Sequence, residues 1–469
     1  METTPLLATS PPTASFRSSE GFIVFTVAAA VFTDLILYAA VVPVLPYSLH
    51  ERIGLPLDQV QRAESNLLAL FGLAALIASP ICGALAHRWG NRRTPFLCGL
   101  LFAIVGTLLL GLATSYWVLA LSRIFQGLAS TIVFVVGLAL IGDTVPAERM
   151  GKAIGFALSG VSVGYLVAPT VAGIIYEKLG YVAVFWACTA LLTMDVLLRL
   201  LAVEPKTRTA MSSARNPNQS TSVHREIVTQ SCAASGSSRL SASKTESKPL
   251  SGLRLLGNPR FFCAFFGYSV YTSNMSALDA VLARFVKEEF HWTSSFAGMI
   301  YLTVGIPALA APLVGHLSDR WGTTGFVVTG FLSTATLQYF LRYTAADGDL
   351  SSRGREILLC ILLTFIGISL CFMGTPLATE MSACVESVEG EDPDAFQERA
   401  CKVYAQAFGL LNIGNAIGLL AGPTFAGTLV DNYGWKNMSM GLAMLTLSGG
   451  LPTIVRSCYL WAGKVKNHQ

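Results

Sequence analysis

Twelve runs of mostly apolar residues divide this chain, each about 20 residues long, enough to cross ~30 Å of hydrocarbon as a helix. They lie near 21–45, 65–86, 94–114, 116–141, 153–175 and 181–203, then near 259–283, 296–314, 324–343, 356–376, 404–429 and 438–462. Only 13% of the 469 residues are charged and the mean hydropathy is +0.56, whereas a soluble domain carries about 25% charged residues. The pattern predicts an all-α integral membrane chain of twelve spans, with lipid as the solvent.

Between the two sets, residues 204–258 are rich in Ser, Thr and basic residues and poor in large apolar ones. Such a segment cannot bury enough surface to fold, so it is expected to be a disordered linker. The sequence therefore divides into a polar N-terminus (1–20), a six-helix half (21–203), the linker, a second six-helix half (259–462) and a short tail (463–469). With the N-terminus placed inside, cytosolic segments hold 20 Lys and Arg residues and the outward loops seven. By the positive-inside rule both termini are expected in the cytosol.

The N-terminus lacks a basic segment followed by a short apolar run, so no cleaved signal peptide is expected. Its Glu2, Leu6 and Leu7 match an acidic dileucine address, a pattern short enough to arise by chance. The ten cysteines form no CxxC pair and lie mostly within apolar runs, which suits small buried hydrophobes better than a disulfide framework. No GxxxxGK[ST] loop for ATP is present. The six histidines are scattered, and no metal ligand set, nucleophile constellation or cofactor motif appears. Enzyme activity and nucleic-acid binding have no support.

One motif occurs twice, at equivalent places. Gly83-Ala-Leu-Ala-His87-Arg88-Trp89-Gly90-Asn91-Arg92-Arg93 follows the second run, and Gly315-His-Leu-Ser-Asp319-Arg320-Trp321-Gly322 follows the eighth. Glycine there permits tight turns and close helix contact, and the charges can bridge neighbouring helix ends. An ordinary basic loop would not recur at matched topology. The pair resembles the signature loop G-x-L-a-D-r-x-G-r-[rk] of the major facilitator superfamily, with His87 in place of the family aspartate in the first copy. The resemblance implies two pseudo-symmetric six-helix halves with a site between them.

Two further signatures carry the resemblance. The fourth run contains Arg123-Ile-Phe-Gln126-Gly127. A buried arginine costs about 2.5–3.5 kcal/mol on insertion scales and must find a partner or a cavity. In proton-coupled members of the family it is associated with proton transfer; a structural arginine is the competing reading. The fifth run contains Gly164-Tyr-Leu-Val-Ala168-Pro169-Thr-Val-Ala-Gly173, similar to the antiporter motif G-x-x-x-G-P-x-x-G-G, and the eleventh holds Gly418-Leu-Leu-Ala-Gly422-Pro423-Thr-Phe-Ala-Gly427. Proline removes a backbone donor and small residues four apart allow close packing.

Asp34, eight residues before Val42-Pro43-Val44-Leu45-Pro46, and Asp279-Ala-Val-Leu282-Ala283 resemble the first and seventh spans of drug:proton antiporters and vesicular amine transporters. Phe71, Cys371 and Asn412 stand where the amine branch has a Lys and two acids, which turns the resemblance towards fungal multidrug and secondary-metabolite exporters. What it implies is proton-coupled export of a small organic compound by a monomer in the plasma membrane or, second, a vacuolar membrane. Asp34, Arg123 and Asp279 are the candidate proton or substrate groups. Tyr38, Gln126, Tyr271, Asn274, Asn412 and Asn415 are the cavity candidates, with ordinary packing as the alternative for each. Coupling chemistry is expected mainly in the first half. Nutrient uptake or vacuolar sequestration on the same fold, and a non-transporting sensor, are the rival readings. Asn437-Met-Ser439 is a glycosylation sequon in the last expected outward loop.

Overall fold

The computed structural model describes residues 19–86, 92–202, 257–345, 351–388 and 396–466. Most of the N-terminal tail, residues 204–256 of the expected linker, and His87, Arg88 and Gly90 of the first repeated turn lie outside the described residues. Everything described is helix or short connection. The first half comprises α1 (Glu20–Ala39), α2 (Leu45–Glu51), α3 (Leu57–Ala86), α4 (Arg93–Leu112), α5 (Tyr116–Thr144), α6 (Ala147–Leu179) and α7 (Tyr181–Leu201). The second comprises α8 (Pro259–Phe290), α9 (Ser294–Met299), α10 (Tyr301–Ala308), α11 (Ala311–Trp321), α12 (Thr323–Phe340), α13 (Ser352–Val388) and α14 (Phe396–Lys466).

The apolar runs read from the sequence fall largely within these helices. Nine segments among the described residues are long and apolar enough to cross a membrane. The eighth run is broken into α9, α10 and α11, with Pro307 inside α10 and Pro312 in the first turn of α11. The eleventh and twelfth are joined as α14, which turns at Gly434, where φ is 75°. That left-handed angle favours glycine. Local caps set the other ends: Ser19 Oγ accepts from Phe22 N at 3.3 Å, and Asn258 Oδ1 accepts from Arg260 N at 3.0 Å, ahead of Pro259 at the first helical position. Large apolar side chains such as Trp117, Leu179, Trp186 and Leu313 are exposed on the periphery. A soluble protein would not tolerate such a surface.

The halves pack by matching rules. In the first, Gly160 and Gly164 of α6 lie against the backbone of α1 at Ala28 and Phe32; in the second, Gly418 and Gly422 of α14 lie against α8 at Thr272 and Ser273. The other end of each motif reaches across to the opposite half. A Cβ on Gly173 would stand 2.3 Å from Ser294 O, one on Gly298 would stand 2.3 Å from Pro169 O, and Gly427 meets Ser65 of α3. The antiporter-like motif and its counterpart are therefore hinge contacts within a half and seams between halves.

Those seams are concentrated towards one face, the one carrying α2 and the 291–293 turn. There Tyr47 Oη donates to Trp292 O at 2.8 Å, Lys287 Nζ to Pro46 O at 3.1 Å, Gln61 Nε2 to Ala280 O at 2.7 Å and Ser294 Oγ to Gly173 O at 3.1 Å. Deeper in, Asn412 Nδ2 donates to Ser79 Oγ at 2.9 Å. On the opposite face, which carries the repeated turns, ion pairs between described residues stay within a half: Arg92–Asp143 at 2.9 Å, Arg149–Glu20 at 3.0 Å and Arg260–Glu380 at 2.7 Å. Among the described residues, hydrogen bonds bolt the halves together at one face, whereas the ion pairs of the other stay within a half.

Candidate functional site

Beneath the bolted face, Asp279 of α8 is 2% exposed and faces the first half. Tyr165 Oη of α6 donates to its Oδ1 at 2.6 Å, and Tyr38 Oη of α1 donates to its Oδ2 at 3.1 Å. Both carboxylate oxygens from one half are thus occupied by hydroxyls from the other. Arg123 of α5 lies behind Tyr38, its guanidinium carbon 5.6 Å from that ring's centre and 5.1 Å from the ring of Phe71. Its Nη1 donates to Gln126 Oε1 at 2.7 Å and its Nε to Leu67 O at 3.4 Å. Gly127 makes this possible, since a Cβ there would be 2.3 Å from Phe71 O; without a side chain, α5 closes on α3 and lays Arg123 along Leu67 and Phe71. Tyr38 joins the two charges, with its hydroxyl on Asp279 and its ring face on Arg123, a cation–π arrangement.

Asp34 lies one turn before Tyr38 on α1 and is half-buried. Ser130 Oγ of α5 donates to its Oδ2 at 2.6 Å. Arg123, two turns before Ser130, contacts Gln126, Leu67, Tyr38 and Phe71 rather than Asp34. A second acid, Asp195 of α7, is 2% exposed and close enough to act on the Asp34 charge.

The remaining candidates separate. Asn412 bridges the halves through Ser79. Asn415, one turn on, is half-buried. Tyr271 is half-buried beside Tyr268, with ring centres 5.7 Å apart, and lies against Gly374. Asn274 is different: its Nδ2 donates to Val270 O at 2.8 Å, and its Oδ1 accepts from Gln338 Nε2 at 2.7 Å and Thr446 Oγ1 at 2.8 Å. Its hydrogen bonds are spent inside the second half.

The charged turns are also rearranged relative to expectation. Asp319 and Arg320 are exposed and form no ion pair with described residues, while Gly322 takes φ 93° at the turn. The helix ends of the second half are instead joined by Glu380, which accepts from Arg260 at 2.7 and 3.0 Å and from Thr323 Oγ1 at 3.1 Å, with Arg456 at 3.6 Å. In the first half Arg92 of the signature reaches Asp143, and Gly83 is half-buried. Asn437 is exposed in α14 just past the turn at Gly434, its Nδ2 donating to Tyr433 O at 2.9 Å, and Ser439 of the sequon is buried.

Sequence reading passed over Glu64, Tyr165, Ser130, Asp195, Arg199 and Tyr301, all of them in or beside this polar interior. The i, i+4 spacing of Asp195 and Arg199 on one helix face was the available signal. Among the described residues no group of three or more His, Cys, Asp or Glu could hold a metal. What the site offers is a carboxylate shared between two bodies, with hydroxyl donors and a buried arginine, suited to exchanging a proton or a polar ligand group.

Residues 26–390 match the model of the Major Facilitator Superfamily. The chain is 31% identical over 454 residues to an MFS-type transporter, C18.02, of Schizosaccharomyces pombe, covering 94% of this chain and 96% of that one. It is 28% identical to the MFS-type transporter ppzB of Metarhizium rileyi, covering 92% and 94%. It is 24% identical to Multidrug resistance protein 1 of Bacillus subtilis, covering 89% and 93%. Among solved structures, the human organic anion transporter MFSD10 superposes with a TM-score of 0.61 at 16% identity, covering 95% of this chain and all of that one. The chain belongs to the Major Facilitator Superfamily and is a multi-pass membrane transporter of that fold.

Proposed function

We propose that this protein is a secondary active transporter of twelve spans that exports a small organic compound in exchange for protons by alternating access. The observation that carries the reading is the Asp279 carboxylate, held by Tyr38 and Tyr165 of the opposite half. A group bonded across the moving boundary feels both its own protonation and the separation of the halves, which is the physical requirement for coupling the two. Sites of this kind lie between the repeats near the bilayer midplane and are reached alternately from each side. The bolted face is assigned to the outside and the repeated turns to the cytosol, so the structure represents a state closed outward. A proton moving down 100 mV supplies about 2.3 kcal/mol, enough for useful accumulation without ATP.

Arg123 supplies fixed positive charge behind Tyr38, and Asp34 a second carboxylate one turn further in. The aromatic and amide lining from Tyr38, Tyr271, Asn412 and Asn415 suits an amphipathic, cationic or hydrogen-bonding compound. The antiporter-like Gly164–Gly173 segment and the similarity to a protein named for multidrug resistance support export over uptake. The test uses the full chain in proteoliposomes with ethidium and a panel of amphipathic cations. Accumulation should follow an imposed pH gradient and collapse when an ionophore dissipates it. Accumulation indifferent to the gradient would sink proton coupling, and loss of toxicant tolerance on gene deletion in intact cells would fix the direction as outward.

A further inference from the structure

A further buried acid lies outside this scheme at the seam between the halves. Glu64 of α3 is fully buried, and neither carboxylate oxygen meets a hydrogen-bond donor among the described residues. It lies at the seam: one turn earlier on the same face, Gln61 bonds Ala280 O across the boundary, next to Asp279. The groups that act on Glu64 come from three elements, namely Tyr47 of α2, Arg284, Lys287 and Glu288 of α8, and Tyr301 of α10. The α3 helix also packs on α14, whose Asp431 faces Arg284, and on α5, whose Arg123 and Tyr116 are engaged with Gln126 and Asn66.

The cation best placed to neutralise Glu64 is already committed. Arg284 Nε pairs with Glu288 at 2.6 Å, its Nη1 lies 3.6 Å from Asp431, and its Nη2 donates to Leu57 O at 3.2 Å. Lys287 Nζ is turned away to Pro46 O. A carboxylate stripped of water, hydrogen bonds and a direct counter-ion is costly to keep in this position. Tyr301, 1% exposed, lies within electrostatic reach of both Glu64 and Asp279. Opening this face would break the Gln61–Ala280 and Arg284–Leu57 bonds and bring water to Glu64.

We propose that Glu64 is a proton-carrying gate residue: it holds a proton while the halves are closed over it and releases that proton to water when they part. The same oxygen takes a proton back from water before closure, and no other group changes. Closure of this face is thereby linked to one proton bound at the seam, separately from the Asp279 site. This rests on the alternating-access reading but does not require the transported compound to be known.

The gate can be read without substrate. Ser294 is 4% exposed, under the bolted face, and its Oγ touches Gly173 O; Ser294→Cys in the full chain, reconstituted in nanodiscs, reports opening through its rate of labelling by an impermeant maleimide. The parent chain corrects for native cysteines, and denatured S294C for the thiol's own titration. The corrected rate should rise up to about ten-fold per pH unit across the titration of the gate, the limit for one linked proton. Glu64→Gln should hold labelling at its low-pH value throughout, and Glu64→Asp should restore the rise with a shifted midpoint. An unchanged profile in E64Q, or an unshifted midpoint in E64D should E64Q not fold, overturns the proposal. Asp279→Asn should keep the profile; if it abolishes the profile while E64Q does not, the gate proton belongs to Asp279 and the proposal fails. Lost coupled transport with an intact gate profile would bear on the Asp279 reading alone.

Discussion

Tyr165 Oη and Asp279 Oδ1 are 2.6 Å apart, yet they belong to different halves of the molecule. The bond exists only while α6 and α8 are close at this depth, so it is both a tie between bodies and a ligand of a candidate proton site. Asp279→Asn removes the titrating group but keeps an amide that the tyrosines can still bond, so the chain should remain monodisperse while gradient-driven accumulation disappears. Tyr165→Phe removes one charge-assisted hydrogen bond, of about 1.5–3 kcal/mol, and should slow transport on the order of ten-fold or more. Because both changes act on one bond, the double variant should be no worse than D279N. Wild-type accumulation in D279N would remove Asp279 from the coupling site.

Arg123 is fully buried and uses its planar fork, with Nη1 on Gln126 and Nε on Leu67 O, while its face lies over Phe71. Lysine keeps the charge but has neither the fork nor the flat face. Arg123→Lys should therefore lose about 1–3 kcal/mol of stability, read as a lowered melting temperature in detergent, and should also lose gradient-driven uptake. Gln126→Leu strands the same Nη1 and should reproduce much of the stability loss. Equal melting of R123K and the parent would show that the fork carries no weight.

The helices were legible because apolar runs of membrane-spanning length announce themselves, and the repeated turn announced the two halves. The site was legible only in part. Asp34, Arg123 and Asp279 stand out as charges in apolar context, but the pairing of Asp279 with Tyr165 depends on how two bundles dock, which no local pattern encodes. Glu64 was hidden for another reason: α3 begins at Leu57 with a polar first stretch, LDQVQRAESN, so hydropathy starts the span at 65, after the helix has begun and just past Glu64. Asn274 shows the converse ambiguity. An amide inside a span looks like a cavity group, yet Gln338 and Thr446 satisfy it within its own half. The charges of the repeated turn were read as able to bridge helix ends; among the described residues Glu380, beyond Pro376, holds Arg260 and Arg456.

The seam between α6 and α9 makes a steric prediction. Gly298 approaches Pro169 O so closely that any Cβ would clash with backbone, and Gly173 does the same with Ser294 O. Gly298→Val should prevent this face from closing without disturbing either half. Expression and monodispersity should persist, transport should fall below detection, and S294C labelling should become fast at every pH. Slow labelling in G298V would mean that the seam tolerates separation and is not the gate. Gly155 faces open space, so Gly155→Ala serves as a control and should leave transport within two-fold, or about 0.4 kcal/mol.

On the opposite face, Glu380 collects α8, α12 and α14 through Arg260, Thr323 and Arg456, while Asp319 of the family signature stands exposed and forms no ion pair with described residues. The Arg260 side chain is 41% exposed and that of Glu380 14%, so solvent screens the pair and its contribution is discounted to about 1 kcal/mol. Glu380→Ala should lower the melting temperature by about 2–4 °C, the shift expected for that loss in a half of this size, and by less in high salt. Asp319→Asn should leave melting unchanged, because it loses no ion pair with the described residues. Neither change touches the Asp279 cluster, so the number of protons exchanged per transported molecule should stay the same in both. If D319N destabilised the chain and E380A did not, the lock would lie in the signature turn after all, and the arrangement around Glu380 would be incidental to stability.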